Sequence, residues 1–177
     1  CKELGKASLE NVIKIGTSSL TFPNGRLNLR RFEHITNVIS TLQQQGRQVV
    51  LVSSGAIAVG VGKMGYKKRP STIPGKQAMA AIGQAILAKI YRKFFDQHTI
   101  KVGQILLTSD VITNVEKHKN AENTFAKLLE MGAVPIVNEN DTVSTDEIEI
   151  GDNDTLSAMV ASICKADLLI ILSDIDG

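Results

Sequence analysis

The sequence predicts a three-layer α/β/α fold around a mostly parallel central sheet, and three observations lead there. Short apolar runs rich in β-branched residues recur along the chain, too continuous to alternate between core and water. Longer segments with apolar residues at helical spacing separate them. Small, hydroxyl-bearing or acidic residues follow the runs directly, at the carboxyl ends of strands where open α/β sheets collect their ligands.

The first run, residues 12–15, ends at Gly16, and a helix follows from the N-cap Asn28 with Leu29, Phe32, Ile35, Ile39 and Leu42 on one face, closed by Gly46. Residues 49–52 form the second run. After a glycine-rich stretch, residues 77–95 place Met79, Ile82, Ile86, Ile90 and Phe94 on a helical face, and Val102–Leu107 reads as the third strand. A helix over 121–131, stopped by Gly132, leads into 134–137; another over 153–164 leads into Leu168–Leu172. All five strands read as buried. The polar, acidic connection 138–152 is the longest, and the alternation over 147–150 suggests a small edge hairpin within it.

A chain of 177 residues, 43% hydrophobic and 21% charged, is long enough to bury one core without staples. Formal net charge is +2 and the cations are scattered, with Arg30, Arg31, Lys67, Lys68 and Arg69 read as solvated surface, so no nucleic-acid partner is expected. Cys1 and Cys164 are too far apart in sequence to suggest a disulfide framework, and a reducing cytoplasm suits them. The longest uncharged run, 48–62, falls short of the roughly 20 apolar residues of a membrane span, and no secretory signal is expected.

Chemistry is sought after each strand. Lys14, Gly16, Thr17, Ser18 and Ser19 combine a compact cation with a backbone that a phosphate can approach closely, although a strand-edge lysine beside an ordinary turn gives the same pattern. Ser54 and Gly55, before Ala56, allow a carboxylate to reach backbone N–H groups at a helix start; tight packing of that turn is the alternative. Gly60, Gly62 and Gly65 match a dinucleotide-binding pattern but lie several residues past the strand and lack the later acidic residue, so they read as a mobile connector. Asn138, Glu139, Asn140, Asp141 and Thr142, then Gly151, Asp152, Asn153, Asp154 and Thr155, concentrate carboxylates and amides that suit an α-amino group, a metal ion or the lysines that neutralise a phosphate; Asn153 is also placed to cap a helix. Ser173 and Asp174 follow the last strand, where a nucleotide or a plain turn fits equally. His34, His98 and His118 are too widely spaced for a metal site and read as surface.

In this order and spacing, the segments 14–19, 53–60, 135–142 and 151–157, supported by 76–84 and 103–108, resemble the glutamate 5-kinases of the amino-acid kinase superfamily. The likeness runs from about residue 12 to Gly177, leaving residues 1–10 unassigned and making 11–177 the N-terminal, glutamate-binding part of a kinase domain. The resemblance implies the amino-acid kinase fold, interrupted after the fifth main strand. It implies an enzyme that passes the γ-phosphoryl group of ATP, with Mg²⁺, to the side-chain carboxylate of L-glutamate as the first step of proline biosynthesis. Carried over by position, Lys14 and Asp154 are catalytic, Ser54, Gly55, Asp141 and Asn153 bind glutamate, and Lys14, Gly16, Ser173 and Asp174 serve the nucleotide; no protein-held metal site is implied. The resemblance further implies feedback inhibition by L-proline, a homodimer or homotetramer, and a second catalytic lysine, a glycine-rich loop and in many members a PUA domain beyond Gly177. Two alternatives share these motifs: the kinase part of a bifunctional pyrroline-5-carboxylate synthase, and a non-catalytic module that binds glutamate or proline.

Overall fold

The computed structural model describes residues 10–24, 26–144 and 153–172. Strand β1 (Glu10–Ile15) runs into the short helix α1 (Thr17–Leu20), and a Thr21–Leu27 bridge returns the chain to α2 (Leu29–Gln44). There follow β2 (Gln48–Ser53), α3 (Ala56–Met64), α4 (Ile73–Asp96) and β3 (Val102–Leu107). A 3-10 turn at Ser109–Val111, α5 (Val115–Glu130), β4 (Val134–Glu139), α6 (Asp154–Cys164) and β5 (Leu168–Leu172) complete the order.

Among the described residues the strands form one five-stranded sheet in the order β3-β4-β2-β1-β5. Every neighbouring pair is parallel, with Ile13 beside Leu51 and Ile170, and Ile136 beside Leu51 and Gln104. Because successive side chains point to opposite faces, each central strand feeds two cores. Val49 and Leu51 enter one with Ile13, Ile15, Phe32, Ile39, Leu87 and Phe95, under α2, α3 and α4. Val50 and Val52 enter the other with Val12, Phe125, Leu129, Val160 and Ile163, under α5 and α6. The expected three layers follow from this division. Among the described residues no helix is long and apolar enough to cross a membrane.

Four readings of the sequence change. The Gly60–Gly65 stretch is not a mobile connector: Gly60 and Gly62 lie inside α3, which ends at the left-handed C-cap Gly65 (φ 71°). Glycine is needed there for close approach, since a Cβ on Gly60 would overlap the Met79 carbonyl and one on Gly83 would overlap the Ala56 carbonyl. Helix α4 starts at Ile73, four residues before the expected 77, because the Thr72 hydroxyl caps Gly75 N–H at 3.3 Å and Pro74 is tolerated in a first turn. Helix α5 starts at Val115 rather than 121, because Asn114 accepts from Lys117 N–H at 2.9 Å and carries a polar first turn that apolar spacing does not reveal. Finally, among the described residues β3 and β5 stand at the two ends of the sheet and are less buried than expected, with Leu106, Leu168, Ile171 and Leu172 exposed. The hairpin expected over 147–150 lies outside the described residues.

Candidate active site

Strand parity decides where the lysine of β1 goes. Val12 and Lys14 share the face covered by α5 and α6, and α6 begins with Asp154. Lys14 Nζ meets Asp154 Oδ1 at 2.7 Å, the lysine side chain fully buried and the carboxylate half exposed. A buried ammonium requires a counter-charge, and a carboxylate in the first turn of a helix is favoured by the helix dipole, so the pair is stable on both counts. Gly16 follows in extended conformation as the N-cap of α1. Ser173 and Asp174, the other expected nucleotide contacts, lie outside the described residues.

Beside this pair lies a cavity of about 80 Å³ at the carboxyl edge of β2 and β4, and Ser54, Gly55, Asp141 and Asn153 all line it. Ser54 N–H donates to Ile15 O at 3.2 Å, which ties the turn to β1. Its Oγ is buried with no hydrogen-bond partner among the described residues, a cost that a ligand oxygen or ammonium would relieve. Gly55 is left-handed (φ 95°), a conformation glycine adopts without strain, and so turns the chain into α3 with Ala56, Ile57 and Ala58 on the cavity wall. The unpaired N–H groups of a helix start form an anion-attracting wall there.

The opposite wall is amide and acid. Asn138, near the end of β4, donates from Nδ2 to Gln84 Oε1 at 2.8 Å and accepts at Oδ1 from Glu139 N–H at 2.9 Å and from Asn153 Nδ2 at 2.6 Å. Asn153 Nδ2 also donates to Ser53 O at 2.7 Å. Asn153 stands at the N-cap of α6, yet its side chain makes no capping bond; these partners take it instead, which corrects the expected capping role. Glu139 accepts from Ser144 Oγ at 2.9 Å. Burial, and secondarily the charge of Glu139, push the Asp141 carboxyl up to about 6, with Arg69 acting in the opposite direction.

The cavity therefore gathers every expected glutamate residue, with Lys14 and Asp154 adjoining through Asn153. Thr17, Asn138, Glu139 and Arg69 line it as well. Thr17, Asn138 and Glu139 belong to the clusters that the sequence singles out. Arg69 is exposed as expected, but its place on the cavity wall has no signal in the pattern, because it sits in a polar loop before Pro70 with no periodic neighbour. Cys164 is half-buried, and burial raises its thiol to about 12, far from a reactive thiolate.

The profile of the amino acid kinase family matches residues 10–177. The chain belongs to the amino acid kinase family. Among curated proteins, this amino acid kinase chain is 55% identical over 166 residues to a glutamate 5-kinase of Clostridium acetobutylicum, covering 94% of the chain and 62% of that relative. It is 54% identical over 176 residues to a glutamate 5-kinase of Clostridium perfringens, covering 97% and 65%. A glutamate 5-kinase of Thermoanaerobacter sp. is 52% identical over 166 residues, covering 94% and 45%. This amino acid kinase chain thus spans between 45% and 65% of the length of these three relatives.

Proposed function

We propose that this chain forms the acceptor side of an enzyme that transfers the γ-phosphoryl group of ATP to the side-chain carboxylate of L-glutamate, giving ADP and L-glutamyl 5-phosphate for proline biosynthesis. The observation that carries the reading is one juxtaposition. A buried lysine held by Asp154 at 2.7 Å adjoins a cavity that offers a Ser54 hydroxyl with no partner among the described residues, a helix amino end and the Asp141 carboxylate. The names of relatives 52–55% identical support the substrate.

The acceptor is already an anion, so no general base is required. An oxygen of the side-chain carboxylate attacks the γ-phosphorus as the bond to the β-phosphate oxygen breaks and ADP leaves. The obstacle is repulsion between two anions, and a positioned cation lowers it most where water is excluded. Lys14 is such a cation at the end of β1, and Asp154 positions it. Ser54, Gly55 and Asn153 hold the amino acid, and Asp141 receives its ammonium group. Gly16, with Ser173 and Asp174, belongs to the nucleotide side. Mg²⁺ would travel with the nucleotide phosphates and neutralise their oxygens; Lys14, compact and buried, is the described group that fits a phosphoryl oxygen. Assembly of the whole protein as a homo-oligomer and feedback binding of L-proline belong to the same reading, supported by the resemblance.

The test is ADP release by the full-length gene product with ATP, Mg²⁺ and a panel of L-glutamate, N-acetylglutamate, aspartate and carbamate. Turnover that depends on L-glutamate and is lost in Lys14→Ala is expected. Turnover with another acceptor in its place would overturn the substrate assignment.

A further inference from the structure

The cavity wall that carries Asp141 and Glu139 is acidic, yet the proposed substrate brings two carboxylates of its own. One of them, the reacting group, faces the phosphoryl group that Lys14 neutralises. The amino end of α3 offers N–H groups but no full charge to the other, and the only cation lining the cavity among the described residues is Arg69.

Arg69 stands on the loop between α3 and α4, and together with Thr17 and Ala58 it lines both the cavity and a wider groove of about 760 Å³ that continues from it. It therefore sits at the mouth, while Lys14 is buried behind. Asp141 lines the same cavity, and the arginine's charge acts on its carboxyl. A free amino acid carries an ammonium and a carboxylate on one carbon atom, so a carboxylate and a guanidinium lining one small cavity match that head group charge for charge.

We propose that Arg69 and Asp141 form a clamp for the zwitterionic head of the substrate, with Arg69 binding the α-carboxylate and setting the preference for an acceptor whose α-carboxylate is free. This inference rests on the glutamate reading and adds a specificity-determining residue to it. The clamp leaves the side-chain carboxylate pointing inward to Lys14, which explains how a site could choose between the two carboxylates of one molecule: the end that carries the ammonium is captured at the mouth.

The experiment compares L-glutamate with its α-amide, L-isoglutamine, which keeps the ammonium and the side-chain carboxylate but lacks the α-carboxylate. Initial rates are measured on the full-length gene product at pH 8, where Asp141 is ionised, for the natural protein, Arg69→Leu and Arg69→Gln. Both variants are expected to raise KM for glutamate at least about tenfold with kcat within about threefold, and to leave KM for isoglutamine unchanged, so that the natural discrimination collapses. A merely structural arginine would shift both KM values together, and that result, or no change in either, would overturn the proposal. Using two neutral replacements of different shape keeps the result from resting on one poorly folded variant. A natural protein without glutamate-dependent ADP release would refute the underlying reading and this one with it; a natural protein that turns over glutamate while the variants keep its discrimination refutes only the clamp.

Discussion

Asp141 is a carboxylate that burial works against, on the wall of the candidate site. Its carboxyl is raised from 3.8 to about 6, by burial first and by Glu139 second. Between those values the folded chain holds a proton that the unfolded chain has released, so this group's contribution to stability falls as pH rises through the window, and the penalty is complete above it. Asp141→Asn is therefore expected to raise the melting temperature of the unliganded protein at pH 8 by a few degrees, about 2–4 °C, while raising KM for glutamate by at least about tenfold. Calorimetry and initial rates on one preparation check both halves. If Asp141 receives the substrate ammonium as proposed, the same group sets a pH profile: kcat/KM for glutamate is expected to fall about tenfold per unit below about pH 6, since protonated Asp141 would no longer attract it and glutamate itself has no group titrating between 5 and 8. Glu139→Gln should move that midpoint downward. Lys14 obeys a different rule. It is fully buried against Asp154, so Lys14→Ala removes both a buried stem and the cation proposed to offset anion repulsion, and on that proposal kcat should drop by about 10²–10³.

At the scale of elements, the crossing of α3 and α4 is what brings the amino end of α3 to the cavity. Gly60 faces the Met79 carbonyl and Gly83 faces the Ala56 carbonyl so closely that neither tolerates a Cβ without backbone movement. Gly83→Ala is expected to cost about 2–4 kcal/mol in urea unfolding and to weaken glutamate binding, because Ala56 itself lines the site. Gly65→Ala supplies the contrast: its φ of 71° strains an alanine, but open space surrounds it, and about 1 kcal/mol with unchanged KM is expected. This crossing also marks where the sequence ceased to be legible. Strands such as β2 and β4 declare themselves because both faces are buried and the apolar run is unbroken. The glycines of α3 looked like a flexible connector because a glycine needed for contact with a partner helix is indistinguishable, in one sequence, from a glycine needed for a turn. The polar start of α5 and the proline in the first turn of α4 hid two helix starts for similar reasons: caps, not periodicity, decide them. Of the cavity, Ser54, Gly55 and Asp141 could be found because they follow strands, and Asn153 because it stands in a cluster of amides and carboxylates at the start of a helix. Arg69 could not, since only the folded loop between α3 and α4 carries it to the acidic wall.

For the molecule as a whole, the question is what holds two helical layers in register across the carboxyl edge of one sheet. The two cores do not touch, because the sheet lies between them. At the edge a chain of side-chain bonds joins them: Gln84 of α4 on one side, Asn138 of β4 in the middle, and Asn153 at the head of α6 on the other, ending on Ser53 O of β2. Each amide has its partners on the correct atoms, so the chain has a single consistent orientation, and a polar network of that kind fixes geometry more than it adds stability. It also sets the distance between the α3 wall of the cavity and the α6 residue that precedes Asp154. Gln84→Leu is then expected to act at a distance. It touches neither Asp154 nor Lys14, yet it leaves Asn138 Nδ2 without its acceptor, and should cost about 1–3 kcal/mol in stability and raise KM for glutamate severalfold. The decisive measurement is a double-mutant cycle of Gln84→Leu with Asn153→Ala in urea unfolding and in glutamate binding. Coupling of about 0.5–2 kcal/mol is expected in both, since the two residues share Asn138 without touching each other. Additive effects would mean that the layers are registered by their cores alone and that the amide chain serves only the site.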